Sequence, residues 1–234
     1  MFHFGSDKPP LFIPLSTGGK VTSAETLAAA LALLAAGFSI IPLSPGSKLP
    51  AIKWKPYETL RPVIAQLEAW FSKGHNNIGL MMGAISGNAI ALDFDDPELA
   101  RLLDLEELAT ETLVQETPRG FHIIVRTAGE PMRTTTHSPH GLAMDLKAEK
   151  SYVVAAPSSL SSGGSYRLLS PDLRIATVDR REVDAFIARL EAEWPTVRIP
   201  CLRIGRQGAL DDFVEGRSRR SAVLRLASIR RGGE

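Results

Sequence analysis

A mixed α/β (α+β) domain is what this sequence predicts, and three observations carry that expectation. Ala/Leu-rich and amphipathic stretches alternate with short apolar runs rich in β-forming residues, the patterns of helices and strands respectively. Compact turn clusters, Ser86-Gly87-Asn88, Thr117-Pro118-Arg119-Gly120 and Ala148-Glu149-Lys150, separate neighbouring strand-like runs, and connections that short join antiparallel strands. The 234 residues are 44% hydrophobic and 23% charged, ordinary proportions for a globular protein with a full core. This length suits one good-sized domain with room for an appendage.

Taken in order, residues 1–20 mix Pro, Gly and Ser with scattered apolar residues and read as a loose arm. Thr22 and Glu25 form a capping box, which opens an Ala/Leu helix running to Ala36 and closed by Gly37. That helix is apolar on nearly all sides and should pack on more than one face. Phe38 to Leu43 reads as a strand. The loop after it, Pro45-Gly46-Ser47-Lys48-Leu49-Pro50, is either an ordinary surface loop or a phosphate cradle; no Walker pattern is present. Pro62 to Ser72 reads as an amphipathic helix with Ile64, Leu67, Trp70 and Phe71 inward.

Asn77 to Gly83 is strand-like, and the Ser86-Gly87-Asn88 turn should fold it back as a hairpin onto the run from Ala89 to Asp96. Pro97 starts a helix to about Leu108. Leu113–Glu116 and Phe121–Arg126 are strands around the Thr117–Gly120 turn, with His122, Ile124 and Arg126 on one polar face and Phe121, Ile123 and Val125 on the other. Thr127 to His140 is a polar loop with no metal-site spacing. Leu142 to Lys147 is a strand, paired across the next turn with Tyr152–Ala156. Pro157-Ser158-Ser159 breaks the sheet, and Tyr166 to Leu169 is a further strand. A helix from about Arg180 ends at Pro195, and the last forty residues read as a linker and a helix from Ser218 to Arg231.

Composition excludes several classes. One cysteine, Cys201, rules out a disulfide framework and a Cys-based zinc site. The longest apolar stretch, Leu27 to Ala36, is too short to cross a bilayer, and no signal-peptide pattern opens the chain, so the expectation is a cytoplasmic protein with no membrane partner. Beyond Thr196 there are nine Arg, no Lys and four acidic residues, a balance of +5; the first 196 residues, with 18 basic and 22 acidic side chains, carry −4. A basic tail on a mildly acidic body points to a polyanionic partner.

The run Ala89-Ile90-Ala91-Leu92-Asp93-Phe94-Asp95-Asp96 organises the chemistry. Asp93 and Asp95 share a strand face, roughly 7 Å apart along the backbone. A divalent cation relieves such repulsion; a strand running into a polar turn is the plain alternative. Asp145 is a third strand-end acid, and Arg119 and His122 lie between the acid sites in sequence. A lone strand histidine is most often solvated or satisfied in a core. Together, the set suits two-metal phosphoryl transfer, in which carboxylates hold two cations about 4 Å apart while arginine and histidine meet the phosphates.

In this order the motifs resemble the bifunctional primase–polymerase (prim-pol) N-terminal domains of the archaeo-eukaryotic primase superfamily, over about Ala28 to Leu169. The pieces are the Ala/Leu helix, Gly37-Phe38 with Ile41-Pro42, Lys48, Pro50 and Trp54; Asn77-Ile78-Gly79, Gly83 and Ser86-Gly87; Leu92-Asp93-Phe94-Asp95; Thr117-Pro118-Arg119-Gly120-Phe121-His122; and Met144-Asp145 followed by Tyr152-Val153-Val154 and Pro157-Ser158. Lys147 stands where the family often has arginine, and the Ala148-Glu149-Lys150 spacer lacks the usual glycines.

The resemblance implies a mainly antiparallel, RRM-like catalytic sheet flanked by helices, with an N-terminal α/β lobe. It implies an arm over 1–20, a catalytic domain over 21–196, and a basic linker with the start of a helical extension over 197–234. Asp93, Asp95 and Asp145 would bind catalytic Mg²⁺ or Mn²⁺, with His122 also catalytic; Arg119, His122, Lys48, Lys147 and Ser158 would bind nucleotide. The implied activity is template-directed nucleotidyl transfer, as primer synthesis or primer extension. Implied partners are a single-stranded DNA template, nucleoside triphosphates, and a helicase or helical primase C-terminal domain. A metal-dependent nuclease or phosphodiesterase, and a non-catalytic nucleic-acid-binding replication module, are the rival readings.

Overall fold

Thr22 is a true helix cap. In this computed structural model, which describes residues 21–96, 103–137 and 144–202, the Glu25 amide donates to Thr22 Oγ1 at 3.2 Å and the Thr22 amide donates to Glu25 Oε2 at 2.7 Å. Helix α1 (Ser23–Ala35) follows, then strand β1 (Ser39–Leu43), a 3₁₀ turn (Lys55–Glu58), α2 (Ile64–Phe71) and β2 (Asn77–Met81). The rest runs β3 (Ala89–Phe94), α3 (Leu105–Glu111), β4 (Leu113–Glu116), β5 (Phe121–Ala128), β6 (Thr135–His137), β7 (Met144–Lys147), β8 (Tyr152–Ala155), β9 (Ser158–Ser159), β10 (Ser165–Leu168), β11 (Thr177–Asp179) and α4 (Arg180–Leu202).

The strands form two sheets. A three-stranded sheet has the order β1-β2-β8, and an eight-stranded sheet has the order β6-β7-β3-β5-β4-β10-β9, with β11 added parallel to the end of β5. All other pairings are antiparallel, so the fold is α+β as expected, although of the three turn clusters only Thr117–Gly120 joins strands that pair with each other. No helix among the described residues is long and apolar enough to cross a membrane.

Side-chain alternation gives the large sheet two apolar faces. Ile90, Leu92 and Phe94 of β3, with Phe121, Ile123 and Val125 of β5, pack against Leu108 of α3 and Val183, Phe186 and Ile187 of α4. On the other face Ala89, Ala91, Leu113 and Ile124 join the core shared with α1, α2 and the small sheet. One core therefore spans both sheets, and each fully buried Ile, Leu or Phe in it contributes about 1.5–3 kcal/mol.

Several expectations change. β2 and β3 do not form a hairpin: both edges of β2 are taken by β1 and β8, and β3 lies in the other sheet. Gly83 at φ +86° and Gly87 at φ +69° reverse the chain around a short 3₁₀ turn, conformations that suit glycine. Buried Ser86 pins the crossing, accepting from the Ser39 amide at 2.9 Å and donating to the Met81 carbonyl at 2.5 Å. β8 likewise pairs with β2 rather than with β7, because the turn after β7 hands the chain from one sheet to the other. Ile64 is 59% exposed rather than inward, as the first turn of α2 projects past the core that Leu67 and Phe71 fill.

Within the expected polar loop, Thr135–His137 forms β6 against β7. The helix after β3 is seen from Leu105, capped by Asp104, since 97–102 lie outside the described residues. α4 continues past Pro195 to Leu202, so loss of one amide donor does not end it. The expected N-terminal arm and the Ser218–Arg231 helix also fall outside the described residues.

Candidate active site

The register of four strands lines up the polar residues. Asp145 of β7 is opposite Asp93 of β3, Asp93 is opposite His122 of β5, and His122 is opposite Gln115 of β4. Directly opposed residues project from the same sheet face with Cβ atoms about 4.5–5.5 Å apart. One register step further in, Ala91, Ile124 and Leu113 lie under the small sheet and its helices. The polar row thus starts where the shared apolar core stops.

His122 is not on a solvated polar face: it is 4% exposed. Its Nε2 lies 3.0 Å from Asp93 Oδ1, and its Nδ1 lies 2.7 Å from Gln115 Nε2. Burial by itself would push the Asp93 carboxyl up, but the hydrogen bond and field of His122, with the charges of Lys147 and Lys48, outweigh it and hold the group below the usual carboxylate range. Asp93 is therefore an anion kept in place by its surroundings.

The other two acids have cations of their own. Arg119, from the β4–β5 turn, donates to Asp95 Oδ2 at 2.7 Å, with 64% and 38% of the two side chains exposed. An exposed pair of this kind is worth about 0–1 kcal/mol, so Arg119 can be drawn off by a better anion. Lys147 pairs with Asp145 on the same strand. The Thr117–Gly120 turn is set by Thr117 Oγ1, which accepts from the Gly120 amide at 3.0 Å. Gly120 is there because a Cβ would meet the Phe94 carbonyl oxygen at 2.1 Å, where β5 passes the end of the acid strand.

Lys48 is exposed, and its carbonyl accepts from the Tyr152 hydroxyl at 3.1 Å. Its loop is moored by Asn77 Nδ2, donating to the Ser47 carbonyl at 3.0 Å. Ser158 is 2% exposed and its Oγ accepts from the Ile78 amide at 3.0 Å, which puts that hydroxyl in the junction between the sheets rather than in the polar row. Two neighbours escaped the sequence reading. Gln115 is one, although the four-residue turn places it opposite His122 by simple counting. Tyr166 is the other: its ring is 6.1 Å from that of His122, and burial, then the Asp93 and Asp95 charges against an opposing Arg119, push its hydroxyl up to about 12.

As the side chains lie, no group of three or more His, Cys, Asp or Glu among the described residues is gathered closely enough to hold a metal ion. Asp95 is turned onto Arg119, Asp145 onto Lys147 and Asp93 onto His122 instead. The donor chemistry still fits a hard divalent ion, since Asp93, Asp95 and Asp145 offer only carboxylate oxygens, on neighbouring strands in the case of Asp93 and Asp145.

The sheet thus carries a row of acids and a bonded histidine, flanked by an arginine turn. The chain belongs to the family described as bifunctional DNA primase/polymerase, N-terminal (Prim-Pol), whose model matches residues 30–184. A comparison with curated proteins gives no match.

Proposed function

We propose that this protein carries out template-directed nucleotidyl transfer on DNA, making or extending primers on a single-stranded template from nucleoside triphosphates. The observation behind this reading is the Asp145–Asp93–His122 row on three adjacent strands in a chain of the Prim-Pol family. The 3′-hydroxyl of the strand or of the initiating nucleotide loses its proton to solvent as its oxygen bonds the α-phosphorus, the bond from that phosphorus to the bridging oxygen breaks, and pyrophosphate leaves. Mg²⁺ or Mn²⁺ held by Asp93, Asp95 and Asp145 would supply Lewis-acid activation and offset the charge on the reacting oxygens.

The chain's own residues bind and orient. Arg119 exchanges Asp95 for triphosphate oxygens, a bidentate match for its guanidinium. His122 exchanges Asp93 for the same anion at its Nε2–H, from a position fixed by Gln115. Lys147 and Lys48 add positive charge at the rim, and Ser158 supports the nucleotide side by tying β2 to β9 behind it.

The test is incorporation of labelled nucleotide on single-stranded DNA with Mg²⁺ and then Mn²⁺, for the parent and Asp95→Asn. Because Asp95 is exposed in its pair with Arg119, the variant should melt within about 1 kcal/mol of the parent, while incorporation falls by several orders of magnitude. Release of nucleotide from DNA without use of triphosphate would identify a nuclease. A variant that melts far below the parent yet still extends primers would make the acid pair structural.

A further inference from the structure

We infer that Gln115 is a positioning residue that dictates which ring nitrogen of His122 carries the proton. Gln115 is 2% exposed, and its amide is fully committed. Its Oε1 accepts from the Ala156 amide at 3.0 Å, and its Nε2 donates to the Val154 carbonyl at 2.7 Å. A backbone amide can only donate and a carbonyl can only accept, so these two partners fix which end of the side chain is nitrogen.

The second N–H of that amide then points at His122 Nδ1, 2.7 Å away. Nδ1 must accept. In the neutral ring the single proton is thereby placed on Nε2, the nitrogen that faces Asp93. Turning the amide over would set oxygen against the Val154 carbonyl and NH₂ against the Ala156 amide, two buried mismatches at about 1–3 kcal/mol each.

Val154 belongs to β8 of the small sheet and Ala156 follows it, whereas Gln115 and His122 belong to the large one. The small sheet thus reaches through Gln115 to hold the imidazole as a donor on its Asp93 side. A donor there needs no added proton to bind a phosphate oxygen. This role rests on the proposed reading of His122 as a triphosphate ligand, but the tautomer itself does not.

The full chain with ¹⁵N-labelled histidine supplies the first readout. Long-range ¹H–¹⁵N ring correlations, with the His122 signals identified by their loss in His122→Ala, should show an unprotonated Nδ1 and a protonated Nε2. A proton on Nδ1 of the neutral ring overturns the inference without any Gln115 variant. Gln115→Glu keeps the acceptor for the Ala156 amide and attracts the ring proton to Nδ1. Gln115→Leu leaves Nδ1 unpartnered and should mix the tautomers.

Binding of ATP and of dATP with Mg²⁺ should weaken about tenfold in both variants, with melting curves confirming that they fold. A folded Gln115→Leu protein that keeps the parent ring pattern and the parent Kd overturns the role. If His122→Ala binds both nucleotides as the parent does while the parent ring pattern is as stated, the functional reading of His122 fails and the tautomer assignment stands.

Discussion

Asp95 follows β3 and His122 sits on the neighbouring strand β5, yet their substitution should look quite different. Asp95 is exposed and pairs with an exposed guanidinium. His122 is buried between Asp93 and Gln115, with a hydrogen-bonding distance on each ring nitrogen. Replacing it by alanine leaves two polar groups without their partner, and each costs about 1–3 kcal/mol when it cannot reach water. His122→Ala should therefore lose roughly 2–4 kcal/mol in denaturant melts and, on the proposed function, weaken triphosphate binding as well. Asp95→Asn should lose incorporation alone. Measured together, the two variants separate chemistry from support.

Elements show where the sequence is readable and where it is not. The β4–β5 hairpin and the α1 cap are legible because their determinants are local, a turn and a capping box within a few residues. The assignment of β2 and β3 to different sheets is not, because the partner that completes β2 is β8, far along the chain. Asp93, Asp95, Asp145, Arg119 and His122 stand out by type and order; Gln115 does not, since glutamine in a strand carries no signal until its cross-strand partner is known. Local determinants also make sharp tests. Gly120→Ala would drive a Cβ into the Phe94 carbonyl, and should cost about 1–3 kcal/mol in thermal melts and shift the Arg119 turn, weakening nucleotide binding with it.

The α1 cap gives a pH test. Hydrogen bonds from the Thr22 amide and hydroxyl hold the Glu25 carboxyl below its ordinary value. A depressed carboxyl means that the unfolded chain binds the proton more readily, so the cap's stability is complete above the unfolded pKa and fades as pH falls through the folded one. Glu25→Gln should lower the melting temperature slightly at about pH 6 and should reduce its dependence on pH below about 4.5.

At the scale of the molecule, the two sheets share one core and are cross-tied by side chains. Arg126 of β5 donates to the Ala36 carbonyl at 2.8 Å, and Asn77 of β2 donates to the Ser159 carbonyl at 2.7 Å. A basic segment follows this unit in sequence: after Leu202 there are eight Arg and four acidic residues, a balance of +4. Removing residues 203–234 should weaken single-stranded DNA binding and flatten its salt dependence, as fewer counterions are released. Titrations at several salt concentrations measure this, and an unchanged slope would assign that charge no part in binding.

The placement of β8 has a consequence in time. β2 is complete when Met81 has been made, but its second partner strand begins only at Tyr152. At ribosomal rates of about 5–20 residues per second, that apolar edge waits roughly 4–14 s for its neighbour. His122 and all three acids are synthesised within that interval, as are the strands that carry them. An open edge is a template for pairing with other chains. The step that seats Gln115 on the Val154 and Ala156 backbone is therefore the same step that closes this edge, so the edge is covered as the histidine is locked into position.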